Sequence, residues 1–147
     1  MIYGSKIRVL VVDDDQAIRD ALRLGLEEEG YAVAEAADGA MALDVLRATN
    51  ERQIVLLDFR MPRVDGGSVL IGVDNDARLA GRDAFILITA NLNTVPLPIA
   101  TLLHRLDVPI ISKPFDMDEL LDAVAAAAQR LFPTGSQSAP PSLDASR

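Results

Sequence analysis

Apolar residues along this chain fall into short dense runs separated by stretches with helical spacing, and the alternation repeats five times. Ile7-Arg-Val-Leu-Val-Val12 is too continuous for a strand with one wet face, and it predicts a central strand of a parallel sheet. Ile18, Leu22 and Leu26, with Ala21 and Gly25 between them, give a helical face running to about Glu29, where Gly30 ends it. Residues 31–35 form a second, weaker strand pattern. Ala40, Leu43, Val45 and Leu46 predict a helix that opens at Gly39 and fades near Asn50. Gln53-Ile-Val-Leu-Leu57 is a third strand, and it leads straight into Asp58.

The second half repeats the alternation less cleanly. After Asp65-Gly66-Gly67, residues Val69, Leu70, Ile71 and Val73 predict a third helix, ended early or made irregular by Gly72 and Asp74-Asn-Asp76. Ala84-Phe-Ile-Leu-Ile88 is a fourth strand with Thr89 at its end. Pro96 and Pro98 interrupt any helix through the next stretch, since an interior proline costs roughly 3 kcal/mol. The fourth helix is therefore expected to be irregular, starting near Leu97 and reaching His104 or Leu106. Val108-Pro-Ile-Ile-Ser112 is the fifth strand, which Pro109 confines to a sheet edge unless the proline stands at the strand's start. Asp116 caps a last helix lined by Leu120, Leu121, Val124, Ala127 and Leu131. The pattern predicts an α/β fold, a doubly wound open parallel sheet with helices on both faces, over a domain of residues 1–132. Residues 133–147 read as a disordered Ser/Pro/Ala-rich tail or the start of a linker.

Composition narrows the function classes. Twenty-two acidic residues against 14 basic ones leave a formal charge of -8, so no basic face is available for direct nucleic-acid binding. The chain has no cysteine, which excludes disulfides, thiolate metal sites and thiol catalysis. No apolar run is long enough to span a bilayer, and no signal-peptide pattern opens the chain. A cytoplasmic protein without membrane contact is the expectation.

The chemistry collects at one edge. Sites in open parallel sheets lie beyond the carboxyl ends of the strands, and there the sequence puts Asp13 and Asp14, Asp58, Thr89 and Lys113. The carboxylates repel one another unless a cation joins them, and hard oxygen ligands suit Mg2+. A carboxylate between a divalent ion and a lysine is equipped to take or hold a phosphoryl group, with the ion, Lys113 and the Thr89 hydroxyl meeting its equatorial oxygens. Asp58 is the best nucleophile, because its strand is central and its loop accessible. Blander roles fit some neighbours better: Asp15 as a helix cap, Asp65 as the holder of the turn before Gly66, and His104 as a surface or packing residue.

These motifs resemble the receiver domain of two-component response regulators over roughly residues 6–132. Val-Val-Asp13-Asp14-Asp15 looks like that family's acidic pocket, and Leu57-Asp58-Phe-Arg-Met61-Pro62-Arg-Val-Asp65-Gly66 is similar to its phosphorylation signature. Thr89-Ala90 and Lys113-Pro114-Phe115 match its hydroxyl and lysine motifs. The resemblance implies a (βα)5, flavodoxin-like fold in which Asp58 accepts phosphate from a sensor histidine kinase or a histidine phosphotransfer protein. Mg2+ would be held directly by Asp14, by Asp13 largely through water, by Asp58 and by the backbone carbonyl of Arg60. Thr89 would follow the phosphoryl group on activation and Lys113 would pair with it. The switch would be read by a downstream protein target at the face of the fourth helix, fifth strand and fifth helix. The domain would be a monomer or weak homodimer with self-catalysed phosphotransfer and dephosphorylation.

Two departures from the family stand out. The switch position that is often Tyr or Phe is Ile110, and Thr89-Ala-Asn-Leu-Asn-Thr-Val-Pro96-Leu-Pro98 is an unusual approach to the fourth helix. A side chain at Arg60 is placed to cover the phosphate and slow attack by water. A stand-alone receiver is the primary expectation. The alternatives are a receiver cut from a longer, for example transcriptional, regulator and a pseudo-receiver that binds partners without ever carrying phosphate.

Overall fold

The computed structural model describes residues 6–133. Strand β1 (Arg8–Val12) lies between β2 (Ala32–Ala36) and β3 (Ile54–Asp58), followed outward by β4 (Ala84–Thr89) and the edge strand β5 (Ile110–Ser112). The order is β2-β1-β3-β4-β5 and every pairing is parallel. The doubly wound (βα)5 architecture expected from the sequence is the one observed.

Helices α1 (Gln16–Glu28) and α5 (Met117–Leu131) cover one face of the sheet, and α2 (Gly39–Arg47), α3 (Gly66–Asp74) and α4 (Leu97–Arg105) cover the other. The strands divide between these layers by simple alternation. Val9, Val11, Ile54, Leu56, Ile86, Ile88 and Ile111 face α1 and α5. Leu10, Val12, Val55, Leu57, Phe85 and Leu87 face the other three helices. β1 and β3 are apolar on both sides because both sides are covered. That is why their sequences show no polar alternation.

The second half differs from expectation in detail. α4 is a regular nine-residue helix, with Pro96 as its N-cap and Pro98 in its first turn. The first N–H groups of a helix have no intrahelical acceptor, so a proline there loses nothing. The irregularity lies ahead of α4, in a 3-10 turn over Leu92–Thr94. β5 begins at Ile110 rather than Val108, since Pro109 has no N–H to offer, though its carbonyl still accepts from Leu87 at 2.9 Å. α3 is short and uninterrupted, and Gly72 packs against Leu43. Pro133 closes the described chain, and the tail expected over the remaining residues lies outside it.

Register brings the site together. Val12 pairs with Leu57, so the next residues, Asp13 and Asp58, leave the sheet side by side. Thr89 pairs with Ser112, and the Lys113 N–H continues the ladder onto the Thr89 carbonyl at 2.8 Å.

Candidate functional site: an acidic pocket at the carboxyl edge

Carboxylate oxygens of Asp13, Asp14 and Asp58 lie within 4.8 Å of one another. Asp13 and Asp58 are buried, whereas Asp14 stands at the exposed rim. The Lys113 ammonium bridges the two buried carboxylates, 3.2 Å from Asp13 Oδ2 and 3.1 Å from Asp58 Oδ1. Three carboxylates facing one ammonium leave two negative charges without a partner, in a partly dry pocket.

The electrostatics follow from that imbalance. Burial first, then the charge of Asp13, push the Asp58 carboxyl up to about 6, against the pull of Lys113. Burial by itself draws the Lys113 ammonium down. Its bond to Asp58 and the charges of Asp58 and Asp13 outweigh that and hold it above the ordinary lysine value. Hard oxygen donors clustered at the carboxyl edge of the sheet, short of positive charge, fit a small divalent cation. The residues present can coordinate a metal ion.

The other expected residues fall around this centre. Thr89 is buried at the end of β4, with its hydroxyl turned to Asn91: it accepts from the Asn91 N–H at 3.3 Å and faces the Asn91 carbonyl at 3.4 Å. Arg60 is exposed on the loop after Asp58, beside a cleft of about 330 Å³ lined by Phe59, Met61, Asp65, Thr94 and Pro96. Ile110 is 37% exposed and borders a second groove with Leu92, Val95, Leu103 and His104. Asp15 caps α1 by accepting from Ala17 N–H at 2.9 Å, and Asp65 caps α3 by accepting from Ser68 N–H at 2.8 Å. His104 is exposed in the last turn of α4.

Gly66 is required by close packing. A Cβ there would stand 2.7 Å from the Asp58 carbonyl oxygen and 2.9 Å from Phe59 Cα. The start of α3 is thereby laid directly against the end of β3, and the loop between them is held by the Gly66 N–H donating to the Phe59 carbonyl at 2.9 Å.

One participant escaped the reading of the sequence. The Arg19 guanidinium on α1 is buried, donating to the Asp13 carbonyl at 2.6 Å, to Glu35 at 2.9 Å and to Gln16 at 2.6 Å. The available signal was its spacing: Arg19, Leu22 and Leu26 share the buried stripe of α1. An arginine in such a stripe has to find partners inside.

The fold and this edge define a doubly wound α/β domain with an acidic, metal-capable pocket beyond its strand ends. The family model described as the response regulator receiver domain matches residues 9–125. Response regulator MprA of Mycobacterium sp. (strain KMS) is 39% identical over 127 residues, covering 86% of this chain and 53% of that protein. MprA of Mycobacterium bovis (strain BCG / Pasteur 1173P2) is 38% identical over the same length. A CheY-like response regulator receiver domain protein from Methanospirillum hungatei JF-1 superposes with a TM-score of 0.77 at 28% identity, over 88% of this chain and 99% of that one. Chemotaxis protein CheY4 of Vibrio cholerae, at 23% identity and a TM-score of 0.70 over 84% of this chain and 99% of that one, shares the fold. This chain belongs to the response regulator receiver family, the domain of two-component and phosphorelay signalling. It spans about half the length of the curated relatives it matches. No helix among the described residues is long and apolar enough to cross a membrane.

Proposed function

We propose that residues 1–132 are a phosphoacceptor module in which Asp58 takes a phosphoryl group from the phosphohistidine of a sensor histidine kinase or histidine phosphotransfer protein. The observation that carries this reading is the Lys113 ammonium 3.1 Å from the buried Asp58 carboxylate, with Asp13 and Asp14 beside it. An Asp58 oxygen attacks phosphorus, the P–N bond breaks, and the imidazole nitrogen keeps the electron pair and takes up a proton. Asp13, Asp14, Asp58 and the Arg60 carbonyl would hold Mg2+, which when bound would supply charge neutralisation at the phosphoryl oxygens. Lys113 follows the new phosphoryl group while retaining Asp13 as its second partner. The Thr89 hydroxyl leaves Asn91 to donate to a phosphoryl oxygen. Ile110, beside α4 and the preceding loop, changes packing with it, and a downstream protein target reads the face of α4, β5 and α5.

The test is intact-mass analysis after incubation with acetyl phosphate, with and without Mg2+, on the parent and Asp58→Ala. A Mg2+-dependent gain of one phosphoryl group, absent from the variant, is the expected result. If the parent neither gains mass nor binds beryllofluoride, which removes the objection of rapid hydrolysis, the phosphoacceptor reading fails.

A further inference from the structure

We infer that Arg19 is a positioning residue of the acidic pocket: its guanidinium, by holding the Asp13 carbonyl, fixes the peptide that carries Asp14 into the metal site. The inference rests on the proposed Mg2+ site and adds a residue to it.

Two adjacent acidic residues, Asp13 and Asp14, follow β1 and are held very differently. The Asp13 carboxylate is held from both sides, accepting from the Asp15 N–H at 2.9 Å and from Lys113 at 3.2 Å. Among the described residues no hydrogen bond holds the Asp14 carboxylate, and its position depends on its backbone. That backbone is set by the plane of the Asp13–Asp14 peptide, which carries the Asp13 carbonyl at one end and the Asp14 Cα at the other. One N–H donor of Arg19 fastens this carbonyl at 2.6 Å. On the other side of Asp13, its N–H donates to the Ala36 carbonyl at 3.2 Å. The Asp13 backbone is therefore tied at both ends.

Arg19 is itself held. Its Nε donates to Glu35 at 2.9 Å, and Glu35 also accepts from Arg23 Nε at 2.7 Å. Gln16 Oε1 accepts from its remaining nitrogen at 2.6 Å. The planar fork meets three separate acceptors in fixed directions, a geometry that a lysine cannot reproduce. Adjacent order of β1 and β2 is what carries Glu35 under α1. Outer partners that orient ligating groups commonly alter metal affinity by about 10- to 100-fold when removed.

The test is calorimetric titration of Mg2+ into unphosphorylated protein, well below the melting temperature, for the parent, Arg19→Met, Arg19→Lys and Arg23→Met. Arg23→Met is the structural control, because it strips the same Glu35 of its outer partner while leaving Arg19 in place. The expected result is Mg2+ affinity about 10-fold or more weaker in Arg19→Met, weaker by several-fold in Arg19→Lys, and within about twofold of the parent in Arg23→Met. Parental affinity in folded Arg19→Met would overturn the inference. Should that variant not fold, parental affinity in Arg19→Lys overturns it equally. A matching loss in Arg23→Met also overturns it, since the effect would then be general loosening of α1. A parent that binds no Mg2+ is a different failure: it removes the metal site on which the inference stands.

Discussion

At the scale of single residues, the proton held by Asp58 is the most informative quantity. Its folded value of about 6 stands above the ordinary 3.8, so between these values the folded state binds more protons than the unfolded one. Stability therefore falls as pH rises through that window, and above about pH 6 the whole penalty of the buried charge is present. In chelator, Asp58→Asn removes the penalty and should stabilise the protein at pH 8 by on the order of 3 kcal/mol. The gain should shrink as pH is lowered and be gone near pH 3, below both values, where the carboxyl is neutral in both states. Thermal melts of parent and variant at the two pH values check this, and a variant less stable than the parent at pH 8 contradicts it. The clustered carboxylates were legible in the sequence because Asp13 and Asp58 directly follow apolar runs and Asp14 stands next to Asp13. The direction of the Thr89 hydroxyl and the burial of Arg19 were not. The first depends on how the chain turns just after β4, at the Asn91 backbone, and the second on Glu35, brought in by β2.

At the scale of elements, the junction of β3 and α3 is the tightest point of the site. The Cβ of an alanine at position 66 would meet backbone rather than a flexible side chain, so relief requires the end of β3 or the start of α3 to move. Gly66→Ala should cost roughly 1–3 kcal/mol, as overpacking does. It should also slow phosphorylation by acetyl phosphate, because the atom it presses is the carbonyl of Asp58. Urea melts and phosphorylation time courses on the same preparation measure both, and a destabilised variant with the parental rate would separate the packing from the site. The order of elements was readable throughout, since strands covered on both faces announce themselves as continuous apolar runs. Boundaries were readable only where a cap or a glycine marked them. Pro96 and Pro98 looked like breakers of α4 and are instead its entrance, a distinction set by where the first helical turn begins. Pro109 shortened β5 as its missing donor requires.

At the scale of the whole molecule, the pocket joins parts of the chain that are far apart in sequence. Asp13 leaves β1, Asp58 leaves β3, and Lys113 reaches both from beyond β5. A cation held by Asp13, Asp14 and Asp58 is bound only when β1 and β3 are paired, so it binds the folded state and not the unfolded chain. Linkage then converts its affinity into global stability, about 2.7 kcal/mol at a hundredfold excess over Kd. For a domain of this size the melting temperature should rise by roughly 5–10 °C under those conditions. The formal charge of -8 means that any salt relieves some repulsion, and NaCl at matched ionic strength isolates the specific part. The specific part should be lost in Asp14→Asn, which leaves the buried pair and Lys113 in place. It should also fade as pH falls below about 6, where protons compete with the metal at Asp58. An equal rise in NaCl and MgCl2, or a rise in MgCl2 that survives Asp14→Asn undiminished, would show that the acidic edge responds to salt as a diffuse negative surface rather than as a coordinating site.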